Sequence, residues 1–380
     1  MPDAALASRY LHDLFDTSPA PQANPASLLI EIVADLAKGA GEIVIPLSGG
    51  RDSRALLGAA LHCFPAKRIH CLTFGPDGSD DVEGARVACR SAGVSHEVIH
   101  PNDFEWDLEA LTAEMKYRLE SGMGIPPIDG MLVFGKLAER VPEGLPVLSG
   151  YLGDATIGRH LEGETLDEED SSALRSFYSQ HRGPLEVRPD AMFREFLKSH
   201  EPLRASWPGL SKLDLLDLGF AQRLRFRSSV TGSFQKPVRV YEDRRWVAHW
   251  FAQPLAKRMS QAHYDEILAA SFPWVFGRLP LPARVSRWRA RRRGRRTYRG
   301  DPRQNPSMAA ALEEACRSFD SRGLATGHSA MAAFRKLIRD PSLPRFRTVR
   351  WFATAEIVVR ASKEMQVSYS PIGAIASAAL

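Results

Sequence analysis

An apolar run, Ile43-Val44-Ile45-Pro46-Leu47, leads directly into Ser48-Gly49-Gly50-Arg51-Asp52-Ser53, and then into a helical pattern carried by Ala55, Leu56, Leu57, Ala59, Ala60 and Leu61. A buried strand, a glycine turn and a helix in that order restrict the chain to a small set of α/β folds. The turn aims backbone N–H groups and a helix N-terminus at a single point, where an anion belongs. Glycines at 49 and 50 let the backbone approach that anion closely. Ser48 and Ser53 add hydroxyl donors. Asp52 would repel a bare phosphate, so its presence suggests a magnesium ion between carboxylate and polyphosphate. The Walker pattern GxxxxGK[ST] is absent from the sequence.

The surrounding periodicities extend this unit. A helix is predicted over Ser27–Lys38, a second strand over Arg68–Phe74 and a third over Ser95–His100. Asp80 and Glu83 read as a capping box for a helix over Val82–Ala92 that stops at Gly93. Helices over Trp106–Glu120 and Met131–Arg140 precede a fourth strand over Leu145–Leu148. Strands alternating with helices imply α/β architecture: a parallel sheet of the five-stranded type with flanking helices. Beyond Gly158 the strand signals fade and helices dominate, over Leu213–Arg227, Trp246–Phe251, Tyr264–Ala270, Ala309–Phe319, Ala330–Ile338 and Val349–Ala361. The expected organisation is an N-terminal arm and linker (1–25), an α/β core (26–165), a helical part (166–280), an Arg-rich segment (281–305) and a helical C-terminal region (306–380). The acidic stretch 162–170 reads equally as a loop at a site mouth or a solvated helix start.

SGGxDS is the signature of the PP-loop ATP pyrophosphatases, and residues 48–53 resemble it at every fixed position. A second segment, Ser149-Gly150-Tyr151-Leu152-Gly153-Asp154 after the strand Val147-Leu148, resembles the SGxGxD element of the asparagine synthetase group. Weaker matches follow at Val240–Trp246 and at Pro254, Arg258, Tyr264 and Phe272-Pro273, so the resemblance covers roughly residues 40–280. It implies a PP-loop (adenine nucleotide α-hydrolase-like) fold, ATP and Mg²⁺ as cofactors, and Asp52 with Asp154 as the metal pair. It also implies nucleotide contacts from Leu47, Ser48, Gly49, Gly50, Ser53, Ser149 and Gly150, an adenine site at Thr73 and Phe74, and a cation for released pyrophosphate at Arg278 or Arg284.

Departures from the group sharpen the reading. Full asparagine synthetases start with a glutaminase domain whose catalytic Cys follows Met1; this sequence starts Met1-Pro2 and places about forty residues before the first strand. The nitrogen is therefore expected from free ammonia, a partner, or a substrate amine. Tyr151 stands where asparagine synthetases carry Glu, as in the β-lactam- and carbapenam-forming members, where the Tyr and a downstream Glu deprotonate an amine. A phenol titrates near 10, so it needs a carboxylate neighbour to act as a base. Glu242 and Glu186 are the candidates. The alternative for Tyr151 is a packing residue with a solvent-facing hydroxyl. Leu152 replaces a glycine and Ala155 an acid. The implied activity is an AMP- and pyrophosphate-forming amide synthetase, a carbon–nitrogen ligase that adenylates a small-molecule or peptide carboxylate for attack by an amine or ammonia, suited to natural-product tailoring. The alternatives are a PP-loop enzyme modifying tRNA or another nucleic acid, and a non-catalytic nucleotide-binding descendant.

Composition sets the outer limits. With 380 residues, 44% hydrophobic and 25% charged, the chain suffices for two domains. No run of about 18 apolar residues exists, so no membrane span is expected, and no signal peptide is apparent. Four cysteines, Cys63, Cys71, Cys89 and Cys316, have no CxxC spacing; buried reduced thiols in a cytoplasmic protein are the expectation. Net charge is +5, yet residues 284–303 hold ten Arg and one Asp, a local +9 that leaves −4 for the rest. Arg287–Arg303, with Trp288 and Tyr298 able to stack on bases, reads as a docking patch for an anionic partner: nucleic acid, a carrier protein or an acidic substrate. A solvated helix or connector is the alternative.

Overall fold

The computed structural model describes residues 4–17, 24–121, 123, 125–161, 169–181, 190–227, 232–259, 261–276, 301–324 and 327–365. Five strands, β1 (Ile43–Pro46), β2 (Ile69–Phe74), β3 (Ser95–Ile99), β4 (Val147–Leu148) and β5 (Pro237–Val238), form one sheet in the order β3-β2-β1-β4-β5. Every pairing is parallel. The order reverses between β1 and β4, where the first crossover runs one way along the sheet and the later one the other. Such a point leaves a crevice outside the carboxyl ends of the strands. The first four strands fall where the apolar runs place them. β5 carries no such run: it is two residues long and begins with proline, at the edge of the sheet where a missing N–H is tolerated.

Alternation along the strands buries two faces. Ile43 and Ile45 of β1, with Ile69 and Cys71 of β2, join one apolar cluster; Val44, Leu72 and Val147 join another. The first face is covered by the helices Pro25–Leu36 and Arg51–Cys63 and, further out, by Ala4–Phe15. Ala4–Phe15 belongs to the segment expected as an arm, yet it buries Ala7, Tyr10, Leu11, Leu14 and Phe15 in the core. The second face is covered by Leu108–Glu120 and Ile128–Ala138, and by a three-helix group, Pro306–Ser321, Ala330–Arg339 and Leu343–Glu364. Within that group Glu356 is fully buried and paired with Arg322 and Arg360 at 2.6 and 2.9 Å. The helix Asp80–Ala92 starts two residues before the expected Val82, and its cap is Ser79 rather than Asp80, the Ser79 hydroxyl accepting from Val82 N at 3.3 Å, while Gly93 ends the helix at φ +66°. All four cysteines are free, three of them buried. No helix among the described residues is long and apolar enough to cross a membrane.

The helical part 166–280 is organised around a buried charge. Arg258, 1% exposed, donates to both carboxylate oxygens of Asp214 at 3.1 and 3.0 Å and to the carbonyls of Ala155, Thr156 and Gly209. His160 Nε2 lies 3.0 Å from Asp214 Oδ1, within ion-pair distance but off the direction of a good hydrogen bond. Burial opposes a charge on His160, but Asp217 and Asp214 outweigh it and raise the imidazole above its usual range. A histidine raised in the folded state stabilises fully below its unfolded value, near 6.5, and that stability is lost as pH rises through the folded value. We expect stability to decline as pH rises past the ordinary imidazole range, and His160→Gln to flatten that decline in urea titrations. An identical slope in the variant would show that His160 does not carry it.

Candidate functional site

The turn after β1 closes on its own hydroxyls. Ser48 N and Ser48 Oγ each lie 3.0 Å from Ser53 Oγ, and Gly50 N donates to Ser48 Oγ at 3.1 Å. The helix Arg51–Cys63 then begins without a side-chain cap, which leaves first-turn N–H groups for a ligand. Gly49 is pressed against the N-terminus of Asp80–Ala92: a β-carbon there would collide with the Asp80 carbonyl oxygen, and one on Gly84 would sit 2.6 Å from Gly49 Cα. Gly49→Ala is expected to cost about 1–3 kcal/mol in urea unfolding, because backbone rather than a flexible side chain must yield. An unchanged midpoint would mean that the two segments separate freely.

The turn after β4 brings its acid to the same place. Leu152 holds φ +72°, the left-handed region, at the position where the resembled motif has glycine. Holding a leucine there costs of order 1 kcal/mol, offset by burial of its side chain, 3% exposed. Gly153 leaves room for Asp52, since a β-carbon would fall 2.5 Å from Asp52 Cγ. Asp52 and Asp154 thereby face each other. Burial, and then the charge of Asp154, push the Asp52 carboxyl well above the usual range, while Arg51 and Arg159 pull the other way. Arg51 bridges Asp265 at 3.1 Å and Asp154 at 3.8 Å; Arg159 reaches Asp154 at 3.5 Å. Behind Asp52, the Tyr241 hydroxyl donates to its carbonyl at 2.8 Å and Tyr264 Oη lies 3.5 Å from Oδ1. Trp246 Nε1 donates to Thr156 Oγ1 at 2.9 Å and so pins the Asp154 turn. Tyr241, Trp246 and Tyr264 thus brace the two acids from behind.

A cavity of about 310 Å³ opens here, lined by Leu47, Ser48, Gly50, Asp52 and Ser53 from the first turn and by Ser149, Gly150, Tyr151 and Asp154 from the second. Its far end is apolar, made by Leu72, Phe74, Val133, Phe134 and Leu137. Phe74 is held there by stacking on Phe104, ring centres 5.2 Å apart. Thr73 does not line it: the side chain is 1% exposed and bonds Leu47 O and His96 Nε2, both at 2.8 Å. Alternation in a strand turns neighbours to opposite faces, so Phe74 and Thr73 cannot both look into one crevice. Glu242 does not line the cavity either. It accepts from Tyr10 Oη at 3.0 Å and Arg227 Nε at 2.8 Å, and forms an ion pair with Arg239 at 2.5 Å.

Tyr151 connects these two regions. Its ring lines the cavity, and its hydroxyl is buried and faces Tyr10 without the alignment of a good hydrogen bond. Burial, and then the charge of Glu242, raise its pKa well above the ordinary phenol value. The order Tyr151, Tyr10, Glu242 therefore places a carboxylate one hydroxyl away from Tyr151. Glu186, Arg278, Arg284 and most of Arg287–Arg303 lie outside the described residues; Arg303 itself pairs with Asp301 at 2.7 Å. Asp81 and the Ile128–Ala138 helix also line the cavity and have no motif to announce them.

The donor set has two facing carboxylates, and among the described residues no group of three or more His, Cys, Asp or Glu forms a self-sufficient metal site. Two carboxylates suit magnesium that takes its remaining ligands from phosphate and water. A scan of protein-family models finds no match to this chain, and a search of the curated proteins finds no significant relative.

Proposed function

We propose that this chain is a PP-loop amide synthetase of the asparagine synthetase type, which cleaves ATP to AMP and pyrophosphate while joining a carboxylate to an amine. The observation that carries the reading is the meeting of Asp52 and Asp154 at the reversal of strand order, each delivered by a glycine turn that follows a parallel strand. The first turn and the uncapped helix start suit the phosphates, and the apolar end at Phe74 and Phe134 suits a base. Magnesium bound by Asp52 and Asp154 would neutralise charge developing on the departing pyrophosphate.

In this scheme a substrate carboxylate oxygen bonds to the α-phosphorus as the bond from that phosphorus to the β-bridging oxygen breaks. The amine nitrogen then attacks the acyl carbon and AMP leaves, taking the bonding pair. Tyr151 takes the amine proton while passing its own toward Tyr10 and Glu242, a relay its raised pKa demands, since a free tyrosinate would be costly there. Holding acid and amine together in a cavity this size supplies most of the remaining advantage.

The test is product identity. The full chain with ATP, Mg²⁺ and a panel of acids and amines should release AMP and pyrophosphate only when a matching pair is present. ADP with orthophosphate would overturn the reading, and a signal that requires tRNA would replace it with nucleic-acid modification.

A further inference from the structure

Next to Tyr151 stands an arginine, Arg223, whose charge no carboxylate among the described residues answers. The guanidinium carbons of Arg223 and Arg227 both lie over the Tyr10 ring, 5.9 and 5.8 Å from its centre. Glu242 is fully engaged by Tyr10, Arg227 and Arg239. The other carboxylate of the region, Asp217, is taken by His181 at 2.9 Å and Gln222 at 3.0 Å. Arg223 thus stands half-buried beside Arg227 with no carboxylate of its own among the described residues. Burial and the charge of Arg227 both work against the Arg223 cation, so it is held in place at a cost that an anion would remove.

Two features make this a built position. Arg223 sits on the π-helical stretch Asp217–Phe226, a wide and uncommon helical geometry concentrated at functional sites. Its cation–π contact with Tyr10 favours its place there without neutralising it. Its planar fork matches a carboxylate through two parallel hydrogen bonds. Tyr10 adjoins both Arg223 and Tyr151, the residue that lines the cavity.

We infer that the nucleophile is an amino acid, its amine delivered at Tyr151 and its carboxylate bound by Arg223. This rests on the amide synthetase reading for the role of Tyr151; the carboxylate site rests on the charge imbalance alone. Calorimetry of the full chain tests it, titrating ATP·Mg²⁺ first and then each standard amino acid, its decarboxylated amine and its deaminated acid. At least one amino acid should bind, with both truncated analogues and Arg223→Gln about a hundredfold weaker. Arg223→Lys, which keeps the charge but not the fork, should fall between. ATP·Mg²⁺ should bind the variants as it binds the natural chain, which also reports that they are folded. Absence of any amino acid binding, an amine or acid that binds as tightly as the amino acid, or an Arg223→Gln affinity within twofold would overturn the inference. Failure of ATP·Mg²⁺ to bind, with the amino acid still bound through Arg223, would overturn the amide synthetase reading and leave the carboxylate site standing.

Discussion

Replacing Asp52 or Asp154 by Ala should lower pyrophosphate release by roughly a thousandfold or more, since loss of one fixed electrostatic stabiliser alone costs 10²–10³ in rate. The two losses should not multiply, because one cation shared by two carboxylates is lost when either goes. Stability should move the other way for Asp52. Its carboxylate is buried against a like charge, so Asp52→Asn removes a repulsion and keeps the shape. An inactive variant that unfolds at the same or higher urea concentration is the expected pair of results. Activity surviving in either variant would mean that the facing acids serve packing and not a cation.

The second large effect belongs to Arg258. Its guanidinium satisfies Asp214 and three backbone carbonyls in a fully buried position. Arg258→Met should cost about 3–5 kcal/mol, because the fully buried Asp214 would lose its bidentate cation and keep only His160 and Ser211 as partners. Arg258→Lys should recover little, since an ammonium cannot span partners on three segments. Two of the carbonyls, those of Ala155 and Thr156, belong to the turn that carries Asp154. The variant should therefore also raise the magnesium needed for half-maximal turnover. Adding Asp214→Asn to it should recover part of the stability, and no recovery would place the cost in the carbonyl contacts instead.

Much of the first half of the fold was legible, because each strand there announces itself as an apolar run and each turn as glycine. The second half was legible as helix but not as architecture. β5 is two residues long, and its register depends on β4 rather than on its own residues. The wide helix Asp217–Phe226 packs against Ala4–Phe15, a contact between distant segments that no local pattern encodes. At the site, Ser48, Asp52, Ser149, Tyr151 and Asp154 were legible because glycine turns fix their chemistry locally. Thr73 was assigned to the crevice with Phe74, where strand alternation allows only one of them. Tyr10 was hidden for a different reason: its partner Glu242 is 232 residues away, and nothing in a segment rich in alanine marks a hydroxyl that will stand between two charges.

The sheet also sets an order of events during synthesis. All five strands have emerged once residue 238 leaves the ribosome, yet the face bearing Val44, Leu72 and Val147 is covered partly by helices that begin at Pro306. Until then the nascent chain carries an open apolar face, the kind of surface that chaperones occupy and aggregates exploit. The arginine-dense stretch between residues 284 and 303 is translated within that interval. Its ten arginines therefore precede the helices that complete this face.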